Sequence, residues 1–536
     1  MKINIVSIFF ILVAAVLPNA CSDFLNETPN KSGSADIYHM DQLLGLTGSL
    51  SLYLANGTTV NASTGPPSYL REMIFLGDAL EYDPVYWYYA MNGTDLSSYQ
   101  MYCLDREPFE LESAMDNTWT PCWTRIYTFN TVIENLDVVV QTTVDIRNQI
   151  EGEARFGRAY FHFLLLTQYC LWREDAPGIG YRDNTVPGDI PARETVGYTL
   201  RRIYEDLTLA EEALRKAGRT QFEFQRNFRP TVPTVQAFRA RLDLYRGNYE
   251  SALQNATNAL AAYNTLLDFK NDPLYQLFPS TVRYFLDETD SRIESTLTSL
   301  VMTNLSNLRA AMIPGYVELY LPSMTVNEQD PISESFYNLF DRENDARWIH
   351  FYHAYMPLAY CSTLFQTVVL DGVSTPRCIK WADQKYIKLA NYYSFRHLMC
   401  NGGADILGMT TAEMYLIRAE CLARNGNTLE AANVLRMLRR VRFMTNEVAD
   451  GIGGTLQEVL EERTREMGAF WRAFDIKRLN GADNAGITIR RPILSNYTDP
   501  NSVTELVLTP EDGRWAIPFN PMEIERMGWA QNEGWK

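Results

Sequence analysis

The stretch PTVQAFRARLDLYRGNYESALQNATNAL, Pro233 to Leu260, constrains the fold more than any other part of the chain. It reads as two helices parted at Gly247, with Ala240, Gly247, Tyr249, Ala252, Ala256 and Ala259 at helical offsets. Small side chains there let two antiparallel helices approach closely across a short turn. A second copy, TAEMYLIRAECLARNGNTLEAANVLRMLR, runs from Thr411 to Arg439 with Ala419, Gly426, Ala431 and Leu435 at the matching offsets and Thr428 in place of the aromatic.

The pattern is that of the tetratricopeptide hairpin, so the expected fold is mainly α, a tetratricopeptide-like helical-repeat scaffold with irregular loop and short-strand insertions. The segment Val144 to Trp172 adds a long buried helix, with Ile150, Ala154, Gly157, Tyr160 or Phe161, Leu164 and Tyr169 along one broad face. Thr199 to Ala217 is amphipathic and closed by Gly218, whereas Ala176 to Pro191, rich in Pro and Gly, predicts an extended loop. Residues from about 270 to 400 are less regular, and apolar runs such as YCSTLFQTVVL there predict strands; Asn484 to Leu508 is similar. Loops carried on a rigid scaffold are where binding groups tend to sit.

The first residues carry one charge, Lys2, and then an apolar run to Leu17, shorter than the roughly 20 residues of a membrane span. They read as an export signal, residues 1–20, with Ala20 as the small residue before cleavage and Cys21 as a site for lipid attachment. Such a chain is held at a bacterial membrane by acyl chains alone, and Ser22 and Asp23 beside the anchor suit display on the cell surface. The other seven cysteines form no CxxC pair, which points to buried apolar thiols and leaves disulfide pairing open. A net charge of −17 argues against nucleic acid as a partner. Thirty-one tyrosines and ten tryptophans are many for a soluble protein and require a use.

Several stretches together resemble the SusD/RagB family of outer-membrane nutrient-binding lipoproteins. They are CSDFLNETP at the lipidated start, WTRIYTFNTVIENL with Trp123, Tyr127 and Asn130, GEARFGRAYFHFLLLTQYC, both hairpins, ERTREMGAFWRAFDIKR, and the closing AIPFNPMEIERMGWAQNEGW. Ala469 and Phe470 stand where the family usually has Glu-Gly, and Glu533 where it usually has proline. The resemblance implies a tether over residues 21–40, an N-terminal helical part over 41–270 containing the hairpin 233–260, and a C-terminal part over 271–536 containing the hairpin 411–439. It also implies capture of a nutrient, usually an oligosaccharide and in some members a peptide, and its delivery to a SusC-like TonB-dependent transporter, with no catalytic residue, cofactor or metal.

A sugar ring stacks its C–H face on Tyr or Trp while its hydroxyls take hydrogen bonds from polar groups. The segment GDALEYDPVYWYYAMNGTD, Gly77 to Asp95, offers Tyr82, Tyr86, Trp87, Tyr88 and Tyr89 with Asp78. Adjacent aromatics cannot all face one core, so part of this set should anchor the loop and part should face ligand. IPGYVELYLPS adds Tyr316 and Tyr320, and Trp172 with Arg173 is a weaker candidate. Glu462 and Glu466, one turn apart among arginines, read as exposed helix ion pairs worth a few tenths of a kcal/mol. His350 and His353 in HFYH are poor evidence for a metal, and no HExxH, GxSxG, P-loop or GxGxxG occurs. The alternatives left open are a peptide-binding member of the same family, a surface glycoside hydrolase with two converging carboxylates, and an adaptor whose aromatics are buried.

Overall fold

Threonine begins the main helices. Its hydroxyl accepts a backbone N–H of the first turn at Thr143, Thr195, Thr410 and Thr455, satisfying a donor the helix itself cannot. The computed structural model describes residues 39–48, 70–82, 96–110, 118–137, 143–223, 226–271, 332–354 and 404–535, with Tyr53, Pro84, Trp87 and Tyr88 singly and short backbone segments at 324–326, 365–370, 373–378 and 393–395.

The helices that matter for the argument are α1 Met40–Thr47, α2 Leu96–Tyr102, α3 Trp119–Asn135, α4 Val144–Tyr169, α5 Val196–Lys216, α6 Val232–Tyr245, α7 Tyr249–Ala262, α8 Thr411–Arg424, α9 Thr428–Arg439, α10 Leu456–Asp483 and α11 Pro521–Met527. Among the described residues, strands pair in antiparallel twos: β1 Met324–Val326 with β6 Ala404–Ile406, β2 Tyr352–Ala354 with β5 Tyr393–Phe395, β3 Phe365–Leu370 with β4 Val373–Cys378, and β7 Ile489–Leu494 with β8 Val503–Leu508. The strand expected within YCSTLFQTVVL is β3.

Both expected hairpins form. α6 and α7 turn at Gly247 (φ +75°) and α8 and α9 at Gly426 (φ +79°), a left-handed conformation open to glycine without a Cβ penalty. α7 packs on α8, so the two hairpins stack although the irregular insertion separates them in sequence. α3, α4 and α5 pack in order beside them, and α10 lies against α8. The α3–α4 crossing is close because Gly157 has no side chain: a Cβ there would lie 2.2 Å from Cζ of Phe129.

Among the described residues, most tyrosines and tryptophans go into the core. Of the ten tryptophans, eight are buried, Trp123 is half-buried and Trp381 is outside the described residues. Phe163, Trp172, Phe238 and Tyr245 form one such cluster, and Trp172, the weaker binding candidate, donates its Nε1–H to the Tyr245 carbonyl. Cys103, Cys122, Cys170 and Cys421 are buried free thiols. Residues 515–535 fold back over α4: Ile517 N–H donates to the Gln168 carbonyl at 3.0 Å, and Asn532 donates to that of Tyr169 at 2.8 Å.

One expectation is corrected. Glu462 and Glu466 are not on an exposed face but in a buried ion cluster with Arg347, Arg439, Arg442 and Arg465. α10 breaks from helical geometry at Gly468 (φ +76°, ψ −179°), and residues on both sides of the break point into the interior. The helix therefore has no solvated face at this level.

Candidate functional site

The segment beginning at Gly77 is held at its base by three kinds of contact. Arg472 donates to both carboxylate oxygens of Asp78, Nε to Oδ1 at 2.7 Å and Nη2 to Oδ2 at 2.9 Å. Ser333 Oγ donates to the Asp78 carbonyl at 2.7 Å, and Leu80 bridges to Ile332. Burial and aromatic packing hold the rest: Tyr82 lies 4.8 Å from Tyr102, and Trp87 stacks on Tyr99 with centroids 3.9 Å apart and planes 12° apart. Tyr497 meets Trp87 edge-on at 6.3 Å and donates its hydroxyl to Asp105 at 2.9 Å.

The candidate residues thus divide by depth. Trp87 is 3% exposed and Tyr82 is 6% exposed, so both rings serve the packing under the segment. Tyr88, the next residue, is half-buried and packs its inner edge against the core. Asp78 is partly exposed and engaged by Arg472. Tyr86, Tyr89, Tyr316 and Tyr320 lie outside the described residues, as does Cys21.

Behind this layer the chemistry is that of a sealed support. Arg491 sits over the Tyr102 ring at 3.9 Å and donates to the Tyr102 carbonyl. Burial raises the Tyr102 hydroxyl and the Cys103 thiol each to about 12, so neither ionises near neutrality. Neither group is an activated nucleophile.

Glu462, Glu466 and Asp345 are likewise structural. Despite burial, Glu462 and Glu466 are held below the usual carboxylate range by their arginines, which keeps these two ionised at neutral pH. Burial raises Asp345, but its side chain is enclosed and its two oxygens accept from Arg347. His162 is a core residue: Nδ1–H donates to the Arg158 carbonyl at 2.8 Å, Nε2 accepts from Arg182 N–H at 3.1 Å, and the ring stacks on Tyr181 at 3.9 Å. Burial chiefly, with Arg158 and Arg202 adding to it, lowers its pKa to about 3. Among the described residues no group of three His, Cys, Asp or Glu side chains is placed to hold a metal, and no helix is long and apolar enough to cross a membrane. The side chains of His350 and His353 are outside the described set.

Two family models match the sequence: residues 83–244 match the SusD-like family described as starch-binding associating with outer membrane, and residues 384–532 match the SusD family. No curated protein matches. Among solved structures, the fold is similar to a SusD superfamily protein from Bacteroides thetaiotaomicron (16% identity over 92% of this chain and 100% of that one, TM-score 0.54). It is also similar to a SusD-like carbohydrate binding protein from Bacteroides vulgatus (15%, 92% and 97%, TM-score 0.52) and to a laminarin binding SusD-like protein (14%, 93% and 100%, TM-score 0.53). At these identities the structural likeness speaks to the fold.

Proposed function

The chain belongs to the SusD/RagB family, and on that premise we propose that it is a cell-surface lipoprotein that binds an oligosaccharide and delivers it to a SusC-like TonB-dependent transporter. Family members are carbohydrate-binding proteins associated with the outer membrane rather than enzymes. The anchor is Cys21, and the ligand is taken by the aromatic segment from Asp78 onward, with Tyr88, Tyr86, Tyr89, Tyr316 and Tyr320 as its ring-facing residues. The one observation that supports this most is the division at Trp87 and Tyr88: a ring locked into the core is followed by one that is only partly buried. A platform fixed from beneath loses little conformational entropy when a sugar stacks on it.

The test is isothermal titration of the chain from Ser22 against oligosaccharides and peptides, paired with Tyr88→Ala. Saccharide binding that is lost in the variant supports the reading. Binding of peptides alone transfers it to the peptide-binding alternative, and turnover of the saccharide replaces it with hydrolysis.

A further inference from the structure

Trp123 differs from the other described tryptophans in reaching solvent. On α3 it is one turn from Trp119 and one turn from Tyr127, so the three rings form a stripe down one face. Trp119 is the floor, 2% exposed and wedged edge-on between Tyr169 at 5.2 Å and Phe519 at 5.3 Å; Tyr127, at the rim, is 50% exposed. Facing the stripe across a cavity of about 290 Å³ are Arg182 and Asp189 from the proline-rich loop and Glu523 and Arg526 from α11.

Two polar atoms of residues that line this cleft are buried without a hydrogen-bond partner among the described residues. One is the Trp123 Nε1–H donor, the other the Glu523 Oε2 acceptor. The latter has Arg526 Nη1 at 3.7 Å, beyond hydrogen-bond range. A buried indole N–H normally finds an acceptor, and an unmet buried group costs more than a made bond returns. The two cations and two anions of the wall balance, which favours a neutral ligand over an ion.

We propose that this cleft is a second carbohydrate site, taking a neutral monosaccharide or disaccharide whose ring lies on Trp123 and Tyr127 while its hydroxyls accept from Trp123 Nε1 and donate to Glu523. A hydroxyl is both donor and acceptor, so one functional group answers both unmet atoms. The volume is near the lower end of the roughly 300–1,000 Å³ of ligand pockets, which suits one or two rings. None of the lining residues belongs to the 77–95 segment, so the site is separate from the one proposed above.

The experiment titrates the full chain with maltose, cellobiose, laminaribiose and N-acetylglucosamine, followed by saturation-transfer NMR and calorimetry. It compares Trp123→Phe, which keeps a ring and removes the donor, with Tyr127→Ala, Glu523→Gln and Tyr88→Ala. The expected result is binding of these short sugars weakened about tenfold by each cleft change. The inference is overturned if none of the four sugars binds, or if the cleft variants bind them as the parent does. Longer oligosaccharides that still depend on Tyr88 in either of those cases leave the first site standing and remove only the second. Should Trp123→Phe melt early, Tyr127→Ala decides, since its side chain is half exposed.

Discussion

Arg241 and Glu413 meet 172 residues apart in sequence as a two-pronged ion pair with no exposure on either side chain. Nε lies 2.8 Å from Oε1 and Nη2 2.5 Å from Oε2, while the remaining donors reach the carbonyls of Leu407 and Gly408 at 2.6 Å and 2.9 Å. The guanidinium also lies 4.5 Å from the Trp471 ring, so one side chain joins α6, α8 and α10. Removing one partner leaves the other charged, buried and alone. Arg241→Met is expected to cost about 3–5 kcal/mol in urea unfolding, and Arg241→Met with Glu413→Leu to recover most of that. A single change costing under about 1 kcal/mol would show that the pair is solvated in solution.

Trp87 and Tyr88 should separate stability from binding. Trp87→Ala empties a stacked site in the core and is expected to cost about 3–5 kcal/mol, read as a fall in Tm. Tyr88→Ala is expected to move stability by about 1 kcal/mol or less while weakening saccharide affinity, read by calorimetry. Equal loss of Tm in both variants would refute the division of labour.

The Gly157 contact predicts a steric penalty. In Gly157→Ala the new methyl would fall on the Phe129 ring, and α3 must move off α4 to admit it. The cost expected from overpacking is about 1–3 kcal/mol, seen as a lower denaturation midpoint with an unchanged slope. Alanine's better helix propensity, roughly 1 kcal/mol, works in the opposite direction, so a net gain would mean that the crossing is looser than described.

His162 gives the pH dependence a direction. Its folded pKa is lowered from 6.5 to about 3, so below pH 6.5 the unfolded chain takes up a proton that the folded one refuses. Stability from this group is complete above pH 6.5 and falls as pH drops toward 3, by up to about 1.4 kcal/mol per unit. Thermal melts between pH 6.5 and 5, above the range of most carboxylates, should slope less in His162→Gln than in the parent. Parallel slopes would assign the acid sensitivity to other groups.

What could be read beforehand was what is local. Periodicity and small-residue offsets lie within one or two turns, so α4 and both hairpins are legible from spacing alone. The depth of individual side chains is not, because it depends on remote partners. Glu466 meets Arg347 119 residues away, in a stretch that reads as irregular, and that contact turns a seemingly solvated helix face into an interior one. Trp87 is buried by Tyr99 and by Tyr497 from the far side of the sequence, whereas the chemically similar Tyr88 is only partly buried. Aromatic composition serves core and platform alike and cannot assign either. Trp123 entered as part of a family motif, and its unmet N–H is visible only once α11 and the proline-rich loop are set against it.

The return of residues 515–535 over α4 bears on timing. A ribosome produces α3 and α4 long before their cover, since Asn532 closes on Tyr169 across 363 residues of later chain. Until then the rings of Trp119 and Tyr169 face whatever medium surrounds the nascent polypeptide. Contacts this distant in sequence slow folding and prolong exposure of apolar surface. The cover of α3 and α4 is therefore completed only once residues 515–535 have been made and have folded back.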